Sequence, residues 1–145
     1  MLPTWRARHD VRMSKIKIDE ADALSVRDIL HAQLTALDAS ATVADARDYF
    51  AASGSRRMAL VCDDGRYVGS LTPAQLDGDL DAGVALSAIA ERGPTVSPDD
   101  PATTGRDLAL RTDARRVPVV DDDGKLVGVV AVTGDLTSFC GTSSG

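Results

Sequence analysis

The sequence predicts an α+β fold: two similar halves, each a small sheet with packed helices, set face to face in a sandwich-like arrangement. Three observations predict it. Of the 145 residues, 43% are hydrophobic and only 3% aromatic, so a packed interior must be aliphatic. Residues 41–71 align without a gap on 100–130 with ten identities, and a repeat constrains architecture more than any single motif does. Each copy also carries two apolar runs around an Asp-Gly pair, the strongest short-range hairpin signal.

The elements follow in order. Each copy opens on a short helix, Val26-Arg27-Asp28-Ile29 falling on Leu86-Ser87-Ala88-Ile89. A brief strand comes next, near 35–37 in the first copy and at Thr95, Val96 and Ser97 in the second. The main helix of the first copy starts at Thr42, with Asp45 three residues on, close to a capping box. It runs to about Ser53, and Gly54 supplies its stop. In the second copy Asp100 reads as the N-cap and Pro101 as the first helical residue, with the helix ending near Thr112.

The hairpins are predicted at 58–71 and 117–132. Asp63-Asp64-Gly65 and Asp122-Asp123-Gly124 form their turns, with both central residues at positive φ. A short helix closes each copy, at 73–78 and 133–139. Neither half, at about 60 residues, buries much surface alone, so the two share one core. The chain divides into a basic, flexible tail (1–21), a first repeat (22–80), a second repeat (81–140) and a flexible end (141–145).

Charge narrows the partners. The net charge is −6, yet residues 1–17 hold Arg6, Arg8, Arg12, Lys15 and Lys17 against Asp10 alone. The remaining acidic body repels phosphate backbones, which disfavours nucleic acid as a partner. No apolar run reaches the roughly 20 residues of a membrane span, and the start has no signal-peptide core. The chain is expected to be cytoplasmic. Cys62 and Cys140 suggest no disulfide framework.

Catalytic and metal signatures do not appear. His9 and His31 have no partner at metal-ligand spacing. Asp121-Asp122-Asp123-Gly124 lacks the alternation of a calcium loop. No nucleophile elbow, Walker A or dinucleotide fingerprint is present, so the protein is not expected to be an enzyme.

The ordered set of motifs resembles the CBS (cystathionine-β-synthase) domain family, over roughly 22–140. The residues that carry it are Val26-Arg27-Asp28-Ile29-Leu30, Thr95-Val96-Ser97-Pro98, and the run from Arg115-Arg116-Val117-Pro118-Val119-Val120-Asp121 to Gly124-Lys125-Leu126-Val127-Gly128. The resemblance implies two pseudo-twofold-related repeats, each a small three-stranded sheet with helices. It further implies a regulatory or sensor module that works as a homodimer upon an effector protein.

A cleft between the repeats would take an adenosine-containing ligand: AMP, ADP, ATP, NAD or S-adenosylmethionine. Such members carry Gly-x-x-[Ser/Thr]-x-x-Asp after the last strand, the Asp accepting from ribose hydroxyls and the hydroxyl facing a phosphate. Here the first copy keeps Thr72 but has Gln75 in place of the Asp. In the second copy Ala131 stands where the hydroxyl belongs, Thr133 lies two residues before Asp135, and Asp135 stands one residue late. A bulge at Gly134 would restore the pattern, or Thr133 and Asp135 merely cap the last helix. Ligand contacts are therefore expected from Thr133 and Asp135, the backbone of Thr95, Val96 and Ser97, neighbouring Pro118 and Val119, and Thr72. Arg56-Arg57 and Arg115-Arg116 could neutralise phosphates, or could cover the core edge. A protein–protein adaptor with degenerate nucleotide sites is the alternative.

Overall fold

A computed structural model describes residues 16–32, 35–54, 56–112, 114–133 and 135–140. The helices are α1 (Val26–Ile29), α2 (Val43–Ala51) and α3 (Ala102–Arg111), and the strands are β1 (Ala36–Asp38), β2 (Ala59–Asp63), β3 (Arg66–Leu71), β4 (Arg116–Val120) and β5 (Leu126–Ala131). Short 3-10 turns lie at Ile18–Ala23, Pro73–Leu76 and Leu86–Ala88. The fold is α+β. In the first sheet β1 runs parallel to β2 and β2 antiparallel to β3.

The second sheet pairs β4 with β5. Its expected third strand, at Thr95, Val96 and Ser97, is reduced to one parallel bridge between Val96 and Val119. Val96 N–H donates to Pro118 O (3.0 Å) and Val96 O accepts from Val120 N–H (2.9 Å). Pro94 and Pro98 flank that bridge and have no N–H to extend it.

The two hairpins turn differently. At the first, Asp64 (φ 53°) and Gly65 (φ 81°) both adopt the left-handed region, as the Asp-Gly signal predicts. At the second only Gly124 does so (φ 83°), a departure from the expected repeat. Asp121 Oδ1 there accepts from Asp123 N–H and Lys125 N–H (both 2.9 Å), and this longer Asx-type turn needs a single positive φ. The hairpin tips join the sheets: Tyr67 N–H donates to Gly124 O and Leu126 N–H to Gly65 O (2.9 and 3.1 Å).

Helix ends also differ from expectation. The Thr42 cap forms, with Thr42 N–H donating to Asp45 Oδ2 (3.0 Å). Gly54 does not take a left-handed stop; instead Arg56 Nη1 donates to Tyr49 O (2.6 Å) and its guanidinium lies 4.2 Å from the Tyr49 ring centre. Arg115 does the same for α3, donating to Leu110 O and Thr112 O (2.6 and 2.9 Å). Pro101 flanks α3 rather than opening it (ψ 141°). Backbone bonds from Asp100 and Ala102 to residues 24–26 hold it extended.

The sequence repeat is not the packing unit. Val26 and Ile29 of α1 are fully buried against Val96, Val117, Val119, Val130 and Phe139 of the second repeat. Leu86, which opens the second repeat, is buried against Val43, Val61 and Leu71 of the first. Each copy therefore lends its opening helix to the other, and about 2 kcal/mol of burial per lent side chain ties the halves together.

Two glycines permit the exchange. A Cβ on Gly69 would stand 2.9 Å from the Glu91 backbone carbon, and one on Gly128 would stand 3.0 Å from His31 O. The edge of β3 pairs with Glu91 and the edge of β5 with His31, at equivalent positions of the two copies.

Residues 16–21 do not behave as the expected tail. Phe139 N–H donates to Ile16 O and Ile18 N–H to Thr137 O (2.8 and 3.0 Å), and Ala21 is fully buried in the second core. The apolar pair Ile16 and Ile18 packs there too. Residues 1–15 and 141–145 lie outside the described residues.

Candidate functional site

Where the halves meet, β3 runs into Thr72 and the 3-10 turn Pro73–Leu76. Thr72 N–H donates to Gln75 Oε1 (2.8 Å) and its hydroxyl to the same oxygen (3.2 Å), a capping box that fixes both side chains. These residues wall a cleft of about 230 Å³ completed by Met58, Ser70, Glu91, Arg92, Pro94, Arg116 and Pro118. Thr72 and Ala114 also line a neighbouring hollow of about 370 Å³ bounded by Arg56, Arg57 and Pro73. Together they reach the roughly 300–1,000 Å³ of small-ligand sites.

The arginines divide their work. Arg56 and Arg115 are spent on helix ends, as above. Arg116 Nη1 donates to Ala114 O (2.8 Å), which aims it along the cleft. Arg92 donates to Tyr67 O (2.8 Å) while Tyr67 Oη donates back to Arg92 O (3.2 Å). Among the described residues the ion pairs are Arg27 with Asp99 and Arg106 with Asp107. Among the described residues no carboxylate pairs with Arg57, Arg92 or Arg116, and Glu91 is the one acid among them that lines the cleft.

The structure brings Thr72 and Pro118 together on this cleft, and Thr95 follows its wall at Pro94. The N–H and C=O of Val96 are committed to β4. Ser97 N–H donates to Asp100 Oδ2 (2.9 Å), and Val119 is fully buried. Thr133 and Asp135 lie elsewhere, in an exposed turn rather than a closing helix. Asp135 Oδ1 accepts from Thr133 Oγ1, Thr137 Oγ1 and Thr137 N–H (2.6, 2.8 and 3.2 Å). These bonds, that of Thr133 first, hold its carboxyl below the usual aspartate range. Local bonding of this kind competes with helix formation. Gly134, the expected bulge, lies outside the described residues.

A second cleft, of about 450 Å³, lies between Ala36, Asp38, Cys62, Asp64, Leu126 and Val127. Its charges are acidic. Burial, then the nearby Asp38 charge, pushes the Cys62 thiol up, which disfavours the reactive thiolate.

Glu91, Arg92 and Pro94 escaped the sequence reading because they lie in the short connection between the opening helix and the first strand of the second repeat, outside the motifs. Their Gly-Pro turn signal and the offset that aligns Glu91 with His31 were the available clues.

Comparisons agree with the architecture. The CBS domain family model matches residues 26–76 and again 86–133. No curated protein is similar enough in sequence to count as a match. The chain is similar to the crystal structure of the CBS-pair protein CBSX2 from Arabidopsis thaliana: 23% identity, 74% of this chain, 87% of that chain, TM-score 0.64. CBSX2 in complex with AMP gives 23% identity, 77% and 92% coverage and a TM-score of 0.62. The CBS domain of a bacterial CNNM/CorC family Mg2+ transporter gives 21%, 79%, 73% and 0.62. With both repeats matched by the family model, this chain belongs to the CBS domain family as a tandem CBS pair.

Proposed function

We propose that the chain is a non-catalytic sensor that binds an adenosine nucleotide in the cleft between its repeats and passes that state to a partner protein. The observation that carries this reading is the set of arginines with no ion pair among the described residues, Arg57, Arg92 and Arg116, around Thr72 and Pro118. Met58, Pro94 and Pro118 offer an apolar wall to a base, while guanidinium groups offer bidentate bonds to phosphate. AMP bound to a protein of the same fold is consistent with it. Because Ser70 of β3 in one repeat and Arg116 and Pro118 of β4 in the other border the cleft, a ligand that prefers one spacing of the halves shifts their relative population. A homodimer would present two such clefts to an effector.

The turn at Thr133 and Asp135 is the second candidate position, but three hydrogen bonds already occupy one oxygen of its carboxylate. That occupancy favours the adaptor reading for this end of the molecule.

Thermal melting with AMP, ADP, ATP, NAD and S-adenosylmethionine tests the proposal, on the parent chain and on Arg116→Gln and Asp135→Ala. A ligand at 100 times its Kd stabilises by about 2.7 kcal/mol. The reading requires a shift that Arg116→Gln removes and Asp135→Ala keeps. No shift with any of the five at millimolar concentration leaves the adaptor. Light scattering then decides whether a dimer forms.

A further inference from the structure

Among the described residues, five segment starts hold a main-chain N–H with the side chain three residues on. Lys17 uses Glu20, Ser25 uses Asp28, Thr42 uses Asp45 and Ser97 uses Asp100, at 2.9 to 3.0 Å. Thr72 alone of these uses an amide, Gln75 (2.8 Å). Carboxylates satisfy the same geometry at the other four, so the cap does not require a neutral side chain. The exception is the one that faces the arginine-flanked cleft.

The bonding fixes which atom faces a ligand. A backbone N–H needs an acceptor, so Gln75 holds its oxygen toward Thr72. Its Nε2 has no protein partner among the described residues, and Gln75 lines the cleft. That wall thus presents N–H donors where a carboxylate would present a lone-pair oxygen. A sugar hydroxyl finds no carboxylate from Thr72 or Gln75, whereas a phosphate oxygen finds a donor backed by Arg92, Arg116 and, beyond Thr72, Arg57.

We infer that Gln75 is a specificity-determining residue. It turns the Thr72 end of the cleft into a seat for an acceptor-rich anion, a polyphosphate chain, and removes selection for ribose over deoxyribose. The inference deepens the nucleotide reading and rests on it for the nucleoside part. The donor wall itself is tested with an anion that has no nucleoside.

Isothermal titration of the full chain with tripolyphosphate, ATP and 2′,3′-dideoxy-ATP provides the test, on the parent, Gln75→Glu and Gln75→Asp. Glu20 and Asp45 already cap in the manner these variants need, and unchanged melting curves confirm that they do. The parent should bind ATP and its dideoxy form within about twofold, and both variants should lose roughly tenfold for tripolyphosphate, the worth of one charge-assisted hydrogen bond. A tenfold ribose preference in the parent overturns the inference and hands the sugar to Glu91. Unaltered tripolyphosphate binding in both variants overturns it as well. Tripolyphosphate binding lost in the variants, with no gain from the adenosine, upholds the donor wall while the nucleotide reading fails. If nothing binds the parent, both fall.

Discussion

The two repeats keep the same order of elements to the end of their last strands, and there they part most. After β3 the first repeat makes a tight, capped turn at Thr72–Gln75, and Leu76 (5% exposed) closes its core while the turn still faces the cleft. After β5 the second repeat reverses through Asp135 and drops Phe139 into its core at 0% exposure. Backbone bonds from Thr137 and Phe139 then gather residues 16–18 beside it. One repeat spends its closing segment on a cleft wall, the other on a lock between the two ends of the described chain.

The largest test of this contrast is truncation of the two closing side chains. Phe139→Ala should cost about 3–5 kcal/mol, and Leu76→Ala should stay near the low end of the roughly 2–5 kcal/mol range because Leu76 keeps some exposure. Urea titration of both reads the difference, and equal losses would deny that Phe139 is the stronger lock. Next in size are the paired glycines. A methyl on Gly69 meets the Glu91 backbone, whereas on Gly128 its nearest neighbour is the movable Cδ1 of Leu30 (2.8 Å) before His31 O. Gly69→Ala should cost about 3 kcal/mol and Gly128→Ala nearer 1, seen as unequal shifts in melting temperature.

The smallest effect is a pH response in the exposed turns. Hydrogen bonds hold the Asp135 and Asp38 carboxyls below their ordinary values, Thr133 leading at the first and the Ser40 hydroxyl at the second. A folded pKa that is lowered contributes order at pH above the unfolded value and loses it as pH falls through the folded one. Amide exchange at Thr137 and Ser40 should therefore quicken only in acid below the usual aspartate range. In Asp135→Asn the Thr137 response should vanish while that of Ser40 persists.

Much of the fold was legible from the residues. The repeat of 41–71 on 100–130 shows by direct alignment. The Thr42 cap and the Asp64-Gly65 turn depend on neighbours within about five residues, interactions that survive intact in the folded chain. The misread parts share a different cause. The closing helix at 133–139 failed because Thr133, Asp135 and Thr137 bond one another, and because Phe139 gains more from burial than a helical turn would provide. The strand at Val96 shrank because two prolines flank it.

At the site, Thr72 and Pro118 were visible as pieces of a pattern, but their meeting was not. It results from the exchange of opening helices, which threads Glu91–Pro94 past Gly69. Gln75 was visible as a departure from the family's Asp, yet its chemical sense was hidden. Only the hydrogen bond to Thr72 shows which end of the amide is left to face a ligand.

The sequence by itself determined the two copies, their aliphatic cores and their hairpins, since periodicity and turn chemistry are local and repeat with the residues. Tertiary structure alone decided that each copy completes the other's core, which arginines cap helices and which remain charged over a cleft, and that the two closing turns serve different ends. Those outcomes depend on contacts between residues distant in sequence, where close approach at a glycine or burial of one aromatic ring outweighs local preference.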